Sequence, residues 1–255
     1  GLRGRVLETQ GGARGGAELA ALVDHALRLK SLIGFVPRKY DPHVVVARAH
    51  VGAPPDLFNP AGQDWGLPPF HPHALRDDGY ARFIELLRAN MRHAGAIRID
   101  HAMALQHVYW IPEGHPASEG AYVAYPMDDL LGILALESQR NRCLVVGEDL
   151  GTVPVGFRER MAEAGILSYR VMFFEWTEDG GFVGPDDYPY LALATVGSHD
   201  LATLRGWWEG HDIDLKEEKG LYPAEGEAQR QRDRRRDERS RLLEALTAAN
   251  LPLPA

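Results

Sequence analysis

The sequence holds one cysteine in 255 residues, Cys143. It has no internal disulfide partner, and sitting in the apolar run CLVVGED it reads as a small buried hydrophobe, so neither redox nor zinc chemistry follows from it. Long hydrophobic runs are also missing. No window approaches the roughly twenty apolar residues of a membrane span. The opening, Gly1 to Gly16, lacks the basic segment followed by an apolar stretch that marks a signal peptide. These absences predict a cytoplasmic protein with no membrane partner. Positive charge is not in excess either: 28 Lys and Arg stand against 36 Asp and Glu, a formal charge of −8. Phosphate backbones need a basic surface, so no nucleic-acid partner is expected, and a neutral substrate fits better.

What is present is ordinary globular composition, 45% apolar and 25% charged, enough for one large domain. After a Gly-rich opening, AELAALVDHALRLKSLIG has the spacing of an amphipathic helix near Ala17 to Ile33. From Val51 to Leu75 the chain is dense in Gly, Pro and Asn and reads as a long functional loop. The pattern then becomes regular. Helix ARFIELLRANMRHAG leads to the apolar run AIRIDH, LLGILALESQRNR to CLVVGEDL, and GFRERMAEAG to SYRVMFFEW, with LALATVGSHD following. Such alternation indicates parallel βαβ units. The charged run Arg230 to Arg241 reads as a solvated helix face laced with i to i+4 ion pairs.

Three of the expected strands end in acids: Ile97 to Asp100, Leu144 to Asp149 and Ala194 to Asp200. In a parallel α/β barrel, strand C-termini share one mouth, so such acids converge. Any one of them could instead cap a following helix or turn. The three together, flanked by Arg98, His101 and His199, suit glycoside chemistry, in which one carboxylate attacks the anomeric carbon and another protonates the departing oxygen. Aromatic residues gather in the same segments: Phe58, Trp65, Tyr109, Trp110, Trp207 and Trp208. Each could stack on a sugar or pack in the core. Trp65, in a loop with little regular packing, is the best candidate for sugar contact. The histidines His93, His101, His107 and His115 match no compact metal site, and none is expected.

The segments GAPPDLFNPAGQDWGLPP, LRANMRHAGAIRIDH, GEDLGTVP and SHDLATLRGWW resemble, in order and spacing, the amylomaltase family of 4-alpha-glucanotransferases within the alpha-amylase superfamily. The likeness runs from about Val51 to Trp208. It implies an α/β fold, a partial (β/α)8 TIM barrel of roughly strands four to seven, with a long substrate-cleft loop. By the same resemblance Asp100 is the nucleophile, Glu148 the general acid/base and Asp200 the third carboxylate, while Asp149 is structural. Arg98 orients the nucleophile, His199 assists Asp200, His101 joins the substrate contacts, and Gln63 and Trp65 contact glucan on the acceptor side. The implied partners are alpha-1,4-glucans such as maltose, maltodextrins and fragments of starch or glycogen, with no cofactor and no catalytic metal.

Departures from the family are of two kinds. Ala104, Ala202 and Ser198 stand where relatives commonly have Gly, Pro and Thr, which leaves the mechanism intact. Family members are also considerably longer. The expected division is residues 1–50 as a poorly matched remnant of the barrel's first half, 51–210 as the catalytic barrel segment, and 211–255 as a charged helical segment ending before the barrel does. A fragment or shortened variant of this kind would expose sheet edges, and little activity is expected of it alone. Two other readings compete: a hydrolase of the alpha-amylase type, against which GQDWGLPP argues, and a catalytically silent glucan-binding module.

Overall fold

The computed structural model describes residues 30–32, 45–56, 59–222 and 224–251, and divides into two compact units at Ser168 and Tyr169. The expected helix near Ala17 to Ile33 lies mostly outside the described residues. Its last part is a strand, β1 (Lys30–Leu32), in parallel register with Ile97–Ile99. Backbone pairing to a neighbouring strand there overrides the helical periodicity of the side chains.

In chain order the first unit continues with β2 (Ala49–Ala53), β3 (Gln63–Leu67), β4 (Ala96–Ile99), β5 (His107–Pro112), β6 (Ala121–Ala124), β7 (Leu144–Gly147) and the start of β8 (Leu167–Val171). Strands β1, β4, β7 and β8 form a parallel sheet in that order, with Ala96 opposite Leu144 and Val146 opposite Leu167. The connecting helices are those expected from spacing. Ala81–Met91 buries Phe83, Leu87 and Met91, one stripe at i, i+4 and i+8. Met127–Asn141 buries Leu130, Leu131 and Leu134, carries Asp128 and Asp129 in its first turn, and stops at Arg142 in a left-handed conformation. Phe157–Glu163 adds Phe157 and Met161. These side chains and Ile97, Ile99, Cys143 and Val145 make one continuous core.

The stretch Val51 to Leu75 is not one long loop. It contributes β2 and β3 to an antiparallel sheet of order β3-β2-β5-β6 and then a short helix, Pro72–Asp77. Its glycine content has a packing cause: a Cβ on Gly52 would lie 2.0 Å from the Gln63 carbonyl oxygen and 2.5 Å from Ile111 Cδ1. Only glycine lets β2 lie between these neighbours.

In the second unit the run SYRVMFFEW is a strand only to Val171, after which Met172–Phe174 form a 3₁₀ turn. Thr195 at the end of β9 (Ala192–Thr195) donates to the Tyr169 hydroxyl at 3.1 Å. The small core here is Phe182, Trp207 and Leu242. The charged helix spans Glu227–Ala248, but its arginines do more than lace a solvated face. Arg232 reaches Asp214 and Glu217, and Arg235 reaches Asp212 and lies 4.7 Å from the Trp207 ring centroid. They tie the helix to its predecessor, His211–Glu218, and its internal pairs Arg230–Glu227, Arg235–Glu238 and Arg236–Asp233 lie three residues apart rather than four.

One buried ion links two helices of the first unit. Glu137, 1% exposed, accepts from Arg88 Nε at 2.7 Å and Nη2 at 2.8 Å, and from Arg140 at 2.9 Å. The Arg88 bonds, against the opposing effect of burial, hold its carboxyl below the usual glutamate range. A depressed folded-state pKa stabilises above the unfolded value and is lost as pH falls through the folded one. Glu137→Gln is therefore expected to cost about 2–3 kcal/mol near neutral pH. In denaturant titrations the gap to the parent should close in acid; a gap unchanged by pH would show that charge is not what Glu137 supplies.

Candidate functional site

Two adjacent parallel strands build the centre of the site. Ile99 of β4 stands opposite Gly147 of β7, so the next residues, Asp100 and Glu148, leave the sheet side by side. The pairing continues past the strands: Glu148 N–H donates to the Ile99 carbonyl and Ala102 N–H to the Glu148 carbonyl, both at 2.8 Å. Gly147 permits this close approach, because a Cβ there would stand 3.0 Å from the Ala102 Cβ and 2.8 Å from Met161 Sδ.

Glu148 is 9% exposed. Its Oε2 accepts from the His101 backbone N–H at 2.7 Å and its Oε1 from the Leu150 N–H at 2.8 Å. Burial pushes its carboxyl above the usual glutamate range; the two amides and the Arg98 charge oppose this, while the Asp100 charge adds to it. Arg98, two residues before Asp100 on the same strand exit, holds the Asp100 carboxylate in a direct ion pair. Two neighbouring carboxyl groups thus sit in different surroundings, one buried and one paired with a guanidinium.

Asp149 has no exposure and is committed elsewhere, accepting from Arg158 Nε at 2.7 Å and from Ser168 Oγ at 2.5 Å. That agrees with a structural role. His101 has φ of +48°, a left-handed conformation uncommon outside glycine. Its ring stands edge-on to Trp65 at 5.3 Å between centroids. Burial lowers the affinity of this imidazole for a proton, against the Asp100 charge, which raises it; His107 lowers it further.

Trp65 comes from the antiparallel sheet, 37% exposed, and its Nε1 donates to Gln63 Oε1 at 3.2 Å. Asp64 braces this strand by accepting from Gly66 N–H at 2.8 Å and pairing with His50 at 3.0 Å. Of the residues singled out in the sequence, Arg98, Asp100, His101, Glu148 and the Gln63–Trp65 pair therefore all lie in the first unit and form a connected set of contacts. His199 and Asp200 lie in the second unit, their side chains 69% and 75% exposed and 3.4 Å apart. Among the other aromatic candidates, Tyr109 and Trp207 are buried, as core packing requires, and Phe58 lies outside the described residues. Sequence reasoning missed His50 and Asp64, and it missed the two amides on Glu148, since a backbone donor has no side-chain signature.

Residues 40–252 match the 4-alpha-glucanotransferase family, beyond the motifs in both directions. The chain is 44% identical over 211 residues to a 4-alpha-glucanotransferase of Haemophilus influenzae, covering 82% of this chain and 30% of that protein. With a 4-alpha-glucanotransferase of Mycobacterium tuberculosis it shares 42% identity over 182 residues, 69% of this chain and 25% of that one. Among solved structures it resembles amylomaltase from Corynebacterium glutamicum, with a TM-score of 0.78, 35% identity, and coverage of 82% of this chain and 30% of that one. Amylomaltase from Streptococcus agalactiae in complex with acarbose, at 22% identity and a TM-score of 0.56 over 69% of this chain and 37% of that one, shares the fold. The chain thus spans less than a third of the curated relatives named here. The extent of the family match and the identity to these relatives agree, and the chain belongs to the 4-alpha-glucanotransferase family.

Proposed function

We propose that this chain carries the catalytic centre of a 4-alpha-glucanotransferase, on a segment of a (β/α)8 barrel corresponding to roughly strands four to seven. The observation that carries the reading is the pair at neighbouring strand ends: Asp100 held by Arg98, and Glu148 buried beside it with its carboxyl pushed up. Family membership supports it. Because the chain spans 30% of the Haemophilus relative, the reaction belongs to the protein in which this segment works.

In this mechanism the Asp100 carboxylate attacks the anomeric carbon of an alpha-1,4-glucan while Glu148 gives its proton to the departing glycosidic oxygen. A covalent glycosyl-enzyme results, with the leaving glucan free to depart. Glu148, now ionised, takes the proton from the 4-hydroxyl of an acceptor, whose oxygen displaces Asp100 and restores the original configuration. The proton lost by Glu148 in the first half is regained in the second. Trp65, Gln63 and His101 contact sugar and keep water from the intermediate, and Asp200 with His199 bonds sugar hydroxyls as the ring flattens. One glycosidic bond is broken and an equivalent one made, so two carboxyl groups suffice and no cofactor is called for. Maltose, maltodextrins and fragments of starch or glycogen are the substrates of this reading, in cytoplasmic carbohydrate metabolism.

The direct test places residues 40–252 in the frame of the Haemophilus relative and supplies maltotriose. Glucose and longer maltodextrins are expected, with the number of reducing ends constant; accumulating reducing ends would make the site hydrolytic, and glucan binding without products would make it silent. Within that enzyme, Asp100→Asn and Glu148→Gln should each lower the rate by about 10²-fold or more. The sign of the pH dependence follows from Glu148: a raised pKa keeps the proton donor protonated to higher pH, so the alkaline limb should lie above the ordinary glutamate pKa of about 4.3. Glu148→Gln should abolish that limb.

A further inference from the structure

Glu148 is held by backbone more than by side chains. At the end of β4 and just beyond it, three residues engage it: the Ile99 carbonyl accepts its N–H, the Ala102 N–H donates to its carbonyl, and between them the His101 N–H reaches its Oε2. Two successive amides, those of His101 and Ala102, thus turn toward one residue on the next strand. An extended or right-handed residue at 101 would not direct both of them there. The left-handed φ of +48° and ψ of +60° at His101 set the direction of the Ala102 amide relative to the His101 amide, so with the first on the Glu148 carbonyl the second falls on Oε2. Histidine adopts this conformation at a cost that glycine and, to a lesser degree, asparagine avoid and that β-branched residues suffer most. Such strain persists where surrounding structure over-determines it, and here it falls between the two carboxyl groups.

We infer that His101 is a positioning residue for Glu148 through its backbone: the left-handed turn, rather than the imidazole, presents the amide that fixes the Glu148 carboxyl. This rests on the reading of Glu148 as acid/base and deepens it. Of the two successive amides, that of His101 takes the Glu148 carboxylate and that of Ala102 takes the backbone carbonyl of the same residue. The consequence is electrostatic as well as geometric. The other group on the carboxyl is the Leu150 amide, and the charged groups acting on it are Arg98 and Asp100. Two amide donors favour the ionised form that Glu148 must reach when it accepts the proton of the acceptor hydroxyl, whereas burial favours the protonated form it needs first. The turn thereby keeps both states of one carboxyl within reach. Because Asp100 is the residue immediately before the turn, the same bend sets the nucleophile and the acid relative to each other.

The test is a series at one position, His101→Gly, His101→Asn and His101→Val. All three lose the ring and share whatever affinity it supplies, so KM should rise alike in all of them. They differ in tolerance of the left-handed conformation. The Glu148 carboxyl carbon, followed by NMR through a pH titration of the 255-residue chain, should titrate near its parental position in H101G and H101N. In H101V it should titrate higher, by about one pH unit, because one of two stabilising amides is withdrawn. In the transferase frame, H101V should show the same upward shift of the alkaline limb and a kcat about tenfold below that of H101G. A shift of equal size in all three variants would assign the effect to the imidazole and overturn the proposal, as would no shift in H101V. The comparison of H101G with the parent stands even where H101V does not accumulate: a displaced titration in H101G, which keeps the turn and lacks the ring, also overturns it. Absence of transfer by the parent enzyme counts against the functional reading alone, since the titration requires no turnover.

Discussion

The parallel pairing of β4 with β7, in the register that sets Ile99 opposite Gly147, is the constraint on which the site depends. Shifting that register by one residue would turn the neighbouring side chains to the other face of the sheet. The register is secured from both sides: Ile97, Ile99 and Val145 face the helices Ala81–Met91 and Met127–Asn141 in one core, and the Arg88–Glu137 contact joins those helices. Beyond the strand ends the ladder runs on into the turn at His101. Two carboxyl groups that lie 48 positions apart in the chain thereby leave the sheet as neighbours.

Their different surroundings follow from what each strand exit offers. Arg98 lies two residues before Asp100, and so can reach the carboxylate at its own strand's end. Glu148 emerges over the buried Gly147 and Met161 and meets backbone amides. A guanidinium supports a group that is to remain an anion, and a buried carboxyl with amide donors suits one that is to exchange a proton. The antiparallel sheet adds the third side, bringing Trp65 against the ring of His101 and holding Gln63 beside it. Proposed nucleophile, proton carrier and sugar-contact residues are thus each supplied by a different structural device.

Much of this could be read from the sequence because the parallel part of the fold follows simple periodicities. The stripe Phe83, Leu87, Met91 announces a helix, and the short runs AIRI and LVVG announce strands whose ends carry acids. The antiparallel sheet was not legible. β3 is QDWGL, with side chains exposed or half-exposed throughout, so no alternation of apolar and polar marks it, and β2 depends on a glycine whose reason is the atoms of Gln63 and Ile111. The arginines of Glu227–Ala248 read as a charged face, while their partners on the helix before it are set by tertiary packing. In the proposed site the acids and aromatics are legible by type and position. The turn at His101 was hidden, since its residue type does not signal a positive φ and its contribution to Glu148 is a backbone N–H.

The account's central claim is that Asp100 and Glu148 divide nucleophilic and proton-transfer work between them. It is tested most directly by trapping the glycosyl-enzyme with a slowly released glucosyl donor in the transferase frame and locating the added mass by peptide sequencing in a mass spectrometer. The sugar is expected on the peptide carrying Asp100, attached to that residue. Attachment to Glu148 or Asp200, or turnover of the donor with no enzyme-bound sugar and inverted configuration, would contradict it.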